Sequence, residues 1–380
     1  MQILGTLAGV GLILFLLMDS FETAILPRRV THGFRFARFF YRNTWWLWRT
    51  LALGLKSSKA REAFLSWFGP MSLLALLGTW VLGLIVGFAM LHWSLGIPVN
   101  APEEPAFSTY LYWSGGTFFT LGPGDVTTHS WLGRALAVIE AGLGFGFLAV
   151  IIGYLPVAYQ TFSRRELTIS LLDARAGSPP SAARLLLRVA RSGDCAVVDP
   201  LLAEWERWAA ELLESHLSFP VLAYYRSQHN NQSWLAALTA ILDTCSFLIA
   251  HVKDHNAYQA RLTYAMARHA VVDLALIFRT PPLKPDPERL PAEQLRLLQK
   301  ELREAGMNIA EGAAADQQLI ELRGSYEPFV NALAQRFLFS LPAFVPDKPA
   351  PDNWQSSAWM PRVSPFGNDQ QSTPRMEHFD

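Results

Sequence analysis

Long apolar runs fill the first 160 residues of the chain and then stop. Residues 71–93 hold no Asp, Glu, Lys or Arg. At 1.5 Å per residue such a helix is about 35 Å long, enough to cross a bilayer core. A second run covers 132–159, with Trp131 at one end and Tyr154 and Tyr159 near the other, where interfacial aromatics anchor spans. The amino-terminal run, 3–18, is shorter and spans only if its helix continues through Asp19 and Glu22 toward Leu26. A signal peptide is the competing reading. The chain opens Met1-Gln-Ile-Leu4 with no basic residue, and no small-x-small site follows the apolar core, so an uncleaved span over 1–26 is expected.

Beyond residue 160 the pattern changes to that of a water-soluble helical protein. Helices are expected at 181–192, 199–217, 231–252, 256–278, 291–305 and 314–340. Asp199-Pro200 marks one start, since Asp caps and Pro suits a first turn. Leu235, Leu238, Ile241, Leu242, Cys245, Leu248 and Ile249 give a broad apolar face for a helical core over 161–341. From Pro342 the frequent Pro, Ser, Asn and Gln predict a disordered tail, 342–380.

Charge refines this picture. Lys plus Arg and Asp plus Glu both number 32, and no basic block points to nucleic acid as a partner. The basic residues cluster: Arg28, Arg29, Arg35, Arg38, Arg42, Arg49, Lys56, Lys59 and Arg61 lie in 27–69, and Arg164 and Arg165 follow the last span. The loop between the second and third spans carries Glu103, Glu104 and Asp125 and no Lys or Arg before Arg134. Basic loops stay in the cytoplasm, which places the amino terminus and the acidic loop outside and the carboxy-terminal region inside. Arg35, Arg38, Arg42 and Arg49 share one helical face, with Phe36, Phe39, Phe40, Trp45, Trp46 and Trp48 around it. Such a helix suits the membrane surface, either as a topological anchor or as a sliding cuff that couples the cytoplasmic region to the spans. The two cysteines, Cys195 and Cys245, have no metal or redox spacing and read as reduced thiols.

Between the two longer spans lies Tyr110-Leu-Tyr-Trp-Ser-Gly-Gly-Thr-Phe-Phe-Thr-Leu-Gly-Pro-Gly-Asp125. A short helix over 108–119, with Ser108 as its cap, would run into Thr120-Leu-Gly-Pro-Gly-Asp125. Its carbonyl end favours a cation. Glycines take φ values that other residues avoid, so successive carbonyls can point the same way and replace the water shell of a cation. Gly-Pro-Gly alone would be an ordinary turn. In this setting the stretch resembles the pore loop and selectivity filter of the two-transmembrane-type potassium channel family, over about 70–160. The resemblance implies an all-α membrane protein with a pore module and an extra amino-terminal span. It implies that Thr120, Leu121, Gly122, Pro123 and Gly124 form the ion filter and that Asp125 lies at the outer mouth. Tyr112 and Trp113 would be the pore-helix aromatics that brace the filter from behind. Leu121 stands where the family has Val or Ile. Pro123 stands where it has Tyr or Phe, which removes an N–H and a packing ring and leaves potassium selectivity open against a less selective monovalent cation pore.

The third span would line the pore. Gly142, Gly144, Gly146 and Gly153 are dense, and Gly142 with Gly146 forms a small-xxx-small pair. Close packing and a gating hinge, with Pro156 as a bend, are both open readings. Glu140, the acid well inside this span, would bond behind the filter or pore helix, or attract cations directly. One filter copy per chain requires several chains around an axis, so a homotetramer in contact with membrane lipids and a permeant monovalent cation is expected. No cofactor is called for, beyond potassium in the filter.

No strand–Gly-x-Gly-x-x-Gly–helix unit occurs, so the Rossmann-type regulatory domain of many prokaryotic potassium channels is not expected. His251 and His255 have i,i+4 spacing beside Asp254 but no third ligand, and read as surface histidines rather than a metal site. The polar run 225–233 reads as a solvated connection. No nucleophile–base pairing points to an enzyme.

Overall fold

The computed structural model describes residues 2–24, 35–102, 104–122, 124–229, 231–253, 255–310 and 312–346. Arg28, Arg29, Glu103, Pro123, Asp254 and residues 347–380 therefore lie outside the described residues. Helices dominate, and β structure among the described residues is limited to the isolated bridges Asn100–Thr127 and Val252–Ile309. The chain is an all-α membrane protein that divides into two units. One comprises 1–160 with 218–225, the other 161–217 with 226–380.

In the first unit, α1 (Gln2–Ala24) continues without a break through Asp19 and Glu22. It packs against α3 (Ser58–Ser94) along a seam of small residues. A Cβ on Gly9 would lie 2.9 Å from the Gly87 carbonyl oxygen, and one on Gly87 would lie 2.8 Å from Ile13. A Cβ on Gly5 would meet Ser94 at 2.9 Å, and one on Gly83 would meet Leu16 at 2.4 Å. The Thr6 and Ser94 hydroxyls bond across the seam at 2.9 Å. In lipid, where burying apolar surface gains little, such backbone approach is what holds helices together. Gly5-x-x-x-Gly9 and Gly83-x-x-x-Gly87 carry the pattern in the sequence.

The helix α2 (Phe36–Leu53) takes its amino-terminal partner from α1. Asp19 Oδ1 accepts the Ala37 N–H at 3.3 Å, and Asp19 Oδ2 accepts the Trp80 indole N–H at 2.9 Å. A carboxylate at a helix amino terminus is favoured by unpaired N–H groups and the helix dipole. Glu22 adds an ion pair to Arg35 at 3.7 Å. The helix α3 starts at Ser58, where the Ser57 hydroxyl accepts the Ala60 N–H, and Pro70 lies inside it rather than opening it. Next come α4 (Phe107–Phe118) and α5 (Trp131–Ala176), which outruns the 132–159 apolar stretch and passes through Pro156 as a helix.

The second unit holds the last part of α5, then α6 (Ala182–Arg191), α7 (Asp199–Ser218), α8 (Trp234–His251), α9 (Tyr258–Ile277), α10 (Ala292–Glu304), α11 (Ala313–Gly324) and α12 (Glu327–Phe337). The single helix expected over 314–340 is two, because Pro328 sits in the first turn of α12 where its missing N–H costs nothing. The helices α6, α9, α11 and α12 pack on α8. Like α1, α3 and α5, α8 is long and apolar enough to cross a membrane. It differs in being covered: 94% of its apolar stretch is buried in the chain, against 17% for α5. That is the environment of a core helix.

Its one acid, Asp243, is held by Arg289 (2.5 and 3.2 Å) and by the Tyr326 hydroxyl (2.5 Å). Arg289 and Arg323 both reach Glu327 at 3.0 Å. Burial and the nearby Asp243 charge raise the Glu327 pKa, against the pull of the two arginines.

The expectation of surface histidines is corrected. His251 is fully buried and lies 2.9 Å from Asp316, and His255 is nearly buried and lies 3.0 Å from Asp199. The i,i+4 spacing carries no geometry here, because α8 ends at His251 and each ring turns to an acid from a different helix. Phe344, expected in the disordered 342–380 tail, is instead fully buried, and its carbonyl accepts the Ala183 N–H at 3.2 Å. In the 225–233 run, Arg226 is buried and donates to the Leu338 carbonyl at 3.2 Å, while Ser233 caps α8.

Gly87→Leu overfills the α1–α3 seam and should destabilise the first unit by about 1–3 kcal/mol in detergent melts. Gly11→Leu, with open space around it, should not. In the second unit, His216 is buried and donates from Nδ1 to the Leu212 carbonyl at 2.7 Å. Burial first, and the Arg165 charge second, lower its pKa from 6.5 to about 3. The folded state therefore refuses a proton that the unfolded chain accepts, and stability should fall as pH drops from about 6.5 toward 3. Circular-dichroism melts should show that slope flattened in His216→Leu.

Candidate functional site

The site is built where α3, α4 and α5 meet. The loop before α4 is pinned to the loop after the Gly-rich run. Asn100 and Thr127 exchange backbone bonds of 2.7 and 3.1 Å, and the Thr128 hydroxyl donates to the Pro98 carbonyl at 2.7 Å. The Tyr110 hydroxyl donates to the Ile97 carbonyl at 2.8 Å. At the start of α4 the N-cap is Ala106, whose N–H donates to the Thr109 hydroxyl at 3.2 Å, so Ser108 lies inside the helix rather than capping it.

The end of α4 sets the shape of the Gly-rich run. Leu121 N–H donates to the Gly116 carbonyl (2.8 Å) and Thr120 N–H to the Thr117 carbonyl (3.0 Å), the paired bonds of a Schellman cap. That cap needs a left-handed residue, and Thr120 supplies it with φ +56°. Glycine is the usual occupant. A residue with a Cβ pays roughly 1–2 kcal/mol in that conformation, and this one is β-branched. Gly122 (φ +57°) and Gly124 (φ +80°) are left-handed as well. Left-handed geometry thus recurs at alternate positions through the run. Thr120, Leu121, Gly122, Gly124 and Asp125 are all exposed in the single chain, with Leu121 at 73%.

Beneath this run, Glu140 of α5 is fully buried and gathers all three helices. Its Oε2 lies 3.1 Å from His92 Nε2 of α3. Its Oε1 meets the Ser114 hydroxyl of α4, which also lies 2.8 Å from the Ile85 carbonyl of α3. Trp113 packs on the His92 ring at 4.5 Å, and Tyr112, half exposed, donates to Asp125 Oδ1 at 3.3 Å. The expected aromatic pair is therefore split within one chain. Trp113 supports the buried histidine, and Tyr112 reaches the residue after the run.

The glycines of α5 divide as well. A Cβ on Gly144 would lie 2.1 Å from the Phe118 carbonyl oxygen, so α5 rests directly on the end of α4 there. Gly142, Gly146 and Gly153 have no atom within 4 Å of a built Cβ, and the Gly142–Gly146 pair makes no close packing within the chain. Val138, Phe145 and Ile152 recur every seventh residue of α5 and are 70–73% exposed, an apolar stripe without cover in one chain. Sequence reasoning missed His92 and Ser114. Their signal was a polar side chain on each of the two helices that precede α5, His92 near the end of α3 and Ser114 within α4.

These features define an all-α, multi-pass membrane protein in which α5 rests on the short helix α4 and its Gly-rich exit. Residues 75–160 match the model of a family described as "Ion channel", so this stretch is an ion-channel domain of the two-transmembrane type. The chain is also similar to the "Uncharacterized membrane protein YdjJ" of Bacillus subtilis (strain 168). The two are 24% identical over 259 residues, covering 67% of this chain and 74% of that protein. No solved structure matches significantly.

Removing the carboxyl in Glu140→Ala leaves Ser114 and His92 without their common partner. His92 Nε2 is orphaned by this, at a cost of about 1–3 kcal/mol, while Ser114 keeps the Ile85 carbonyl. Detergent melts should register that loss, and Glu140→Ala and Ser114→Ala should be strongly non-additive in a double-mutant cycle.

Proposed function

We propose that the chain is one subunit of a homotetrameric cation channel that passes potassium through backbone carbonyls of residues 120–124. The observation that carries this reading is the alternate left-handed backbone at Thr120, Gly122 and Gly124, exposed just beyond the end of α4. Left-handed backbone at alternate positions can turn successive carbonyls toward one side, and several copies around an axis would make a cation cage. The uncovered heptad stripe on α5 supports association with further copies, since a seven-residue apolar repeat is the seam of helix–helix assembly. The basic 27–69 segment and the acidic outer loop support an orientation with the amino terminus outside, the filter mouth outside and the second unit in the cytoplasm.

Gating is assigned to α5 and to the segment 218–225, which belongs to the first unit although the chain on both sides of it belongs to the second. Tyr224 packs on Tyr41 (6.0 Å) and Trp45 (5.1 Å) of α2 and on Phe68 (5.0 Å) of α3. Phe219 packs on Tyr154 (5.0 Å), two residues before Pro156 of α5. Movement of the cytoplasmic helices would thereby pull on α2 and on the lower part of the pore-lining helix. This favours the cuff role of α2 over a plain anchor.

Pro123 favours a second reading in which the pore is a weakly selective monovalent cation channel, because the outer filter lacks an aromatic ring to pack on the pore helix. Reversal potentials of the full-length chain in liposomes separate the two. A value near the potassium equilibrium potential in mixed potassium and sodium supports the first reading, and a value near zero the second. Gly122→Val should abolish the current, since a β-branched residue resists φ +57°. Tyr224→Ala should alter the open fraction and leave the reversal potential unchanged. Absence of flux under every condition would instead mark a membrane-anchored helical sensor or scaffold.

A further inference from the structure

A cavity of about 370 Å³ lies among α1, α3 and α5. Its walls include Phe21 of α1, Trp80 of α3, and Gly142, Gly146, Phe147 and Tyr154 of α5. It is more than twice the roughly 150 Å³ apolar cavity that stays dry and accepts a benzene. Two of the three polar side chains along it, Trp80 and Ser20 but not Tyr154, have hydrogen-bond partners in the protein. The Trp80 indole N–H donates to Asp19 at 2.9 Å, and the Ser20 hydroxyl donates to the Leu17 carbonyl at 3.0 Å. Water entering here would find few partners, so the space rejects it.

The two glycines are what keep the space open. A Cβ on Gly142 or Gly146 would meet no atom within 4 Å, so neither is small for the sake of packing within the chain. All three walls are membrane-spanning helices, and the material next to them in a bilayer is hydrocarbon. We propose that the cavity is a binding site for an acyl chain of a membrane phospholipid, inserted between α1 and the glycine-rich stretch of α5. An acyl chain is flexible and narrow, and it needs no hydrogen bonds. It would fill the bare α5 wall left by Gly142 and Gly146 while Trp80 and Phe147 close the far side, their rings edge-on at 6.2 Å. Because α1 forms one wall, the site requires the additional span and is not a property of the pore module. The proposal is independent of which ion passes.

The full-length chain reconstituted in vesicles of phosphatidylcholine and phosphatidylglycerol tests it. One acyl chain of the phosphatidylcholine carries a diazirine near its middle. After irradiation, adducts mapped by mass spectrometry should fall on Trp80 and Phe147 as well as on outward residues such as Leu82 and Ile139. Gly146→Leu fills the cavity and should lose the Trp80 and Phe147 adducts while keeping the outward ones. Gly142→Val provides the same test at a second position. Labelling confined to outward residues, or cavity adducts that persist in both filled variants, overturns the proposal. A Gly146→Cys chain that forms disulfides between copies, with no cavity adducts, overturns it in favour of a neighbouring subunit as the occupant.

Discussion

The buried carboxyl of Glu140 is the constraint on which the pore-forming half of the molecule depends. A carboxyl inside a membrane span is costly unless protein groups satisfy it. Here the satisfying groups come one from each of two other elements, His92 on α3 and Ser114 on α4. Satisfying Glu140 therefore fixes the register of all three helices at once. The contact of Gly144 with the Phe118 carbonyl lies about one turn further along the same face of α5. A polar clamp and a steric contact thus position the carbonyl end of α4, and Thr120 accepts a strained conformation because everything before it is held.

The outline of this arrangement was legible in the sequence because it rests on long-range composition. Uncharged runs of span length, a basic segment against an acidic loop, and glycine at alternate positions are each readable without knowing what touches what. What was not legible was partnership. Glu140 could be recognised as an acid needing a partner, but nothing local says that His92, 48 positions earlier, supplies it. The glycine spacings misled for a related reason. Gly5–Gly9, Gly83–Gly87 and Gly142–Gly146 share one spacing, yet the first two make close contact between helices and the third borders empty space. Spacing shows that a helix face is bare, and only the fold shows what is laid against it.

Histidine shows the same limit in the second unit. The i,i+4 interval between His251 and His255 presumes one continuous helix, and the end of α8 at His251 removes the premise. Apolarity alone is equally ambiguous, since α8 qualifies as a span by length and composition and yet is enclosed by other helices. Its Asp243 is the clue, because it is held by an arginine and a tyrosine from distant parts of the chain. An acid in the middle of an apolar helix points to a protein environment in both units, at Glu140 and at Asp243, but does not say whether lipid lies beyond it.

Asp19 gives the molecule an order of assembly. Its two oxygens are satisfied by the Ala37 N–H and the Trp80 indole, which lie 18 and 61 residues further along the chain. As the chain emerges from the ribosome, α1 is complete long before either donor exists. A newly made α1 alone in lipid would hold an unsatisfied carboxyl and a row of bare glycines. The start of α2 supplies the Ala37 N–H, and the remaining oxygen and the glycines are partnered in one event, when α3 inserts alongside and brings Trp80 with Gly83 and Gly87. The helix α1 is thus synthesised before α3 and settled only with it, and the bilayer must host it unfinished until its partner arrives.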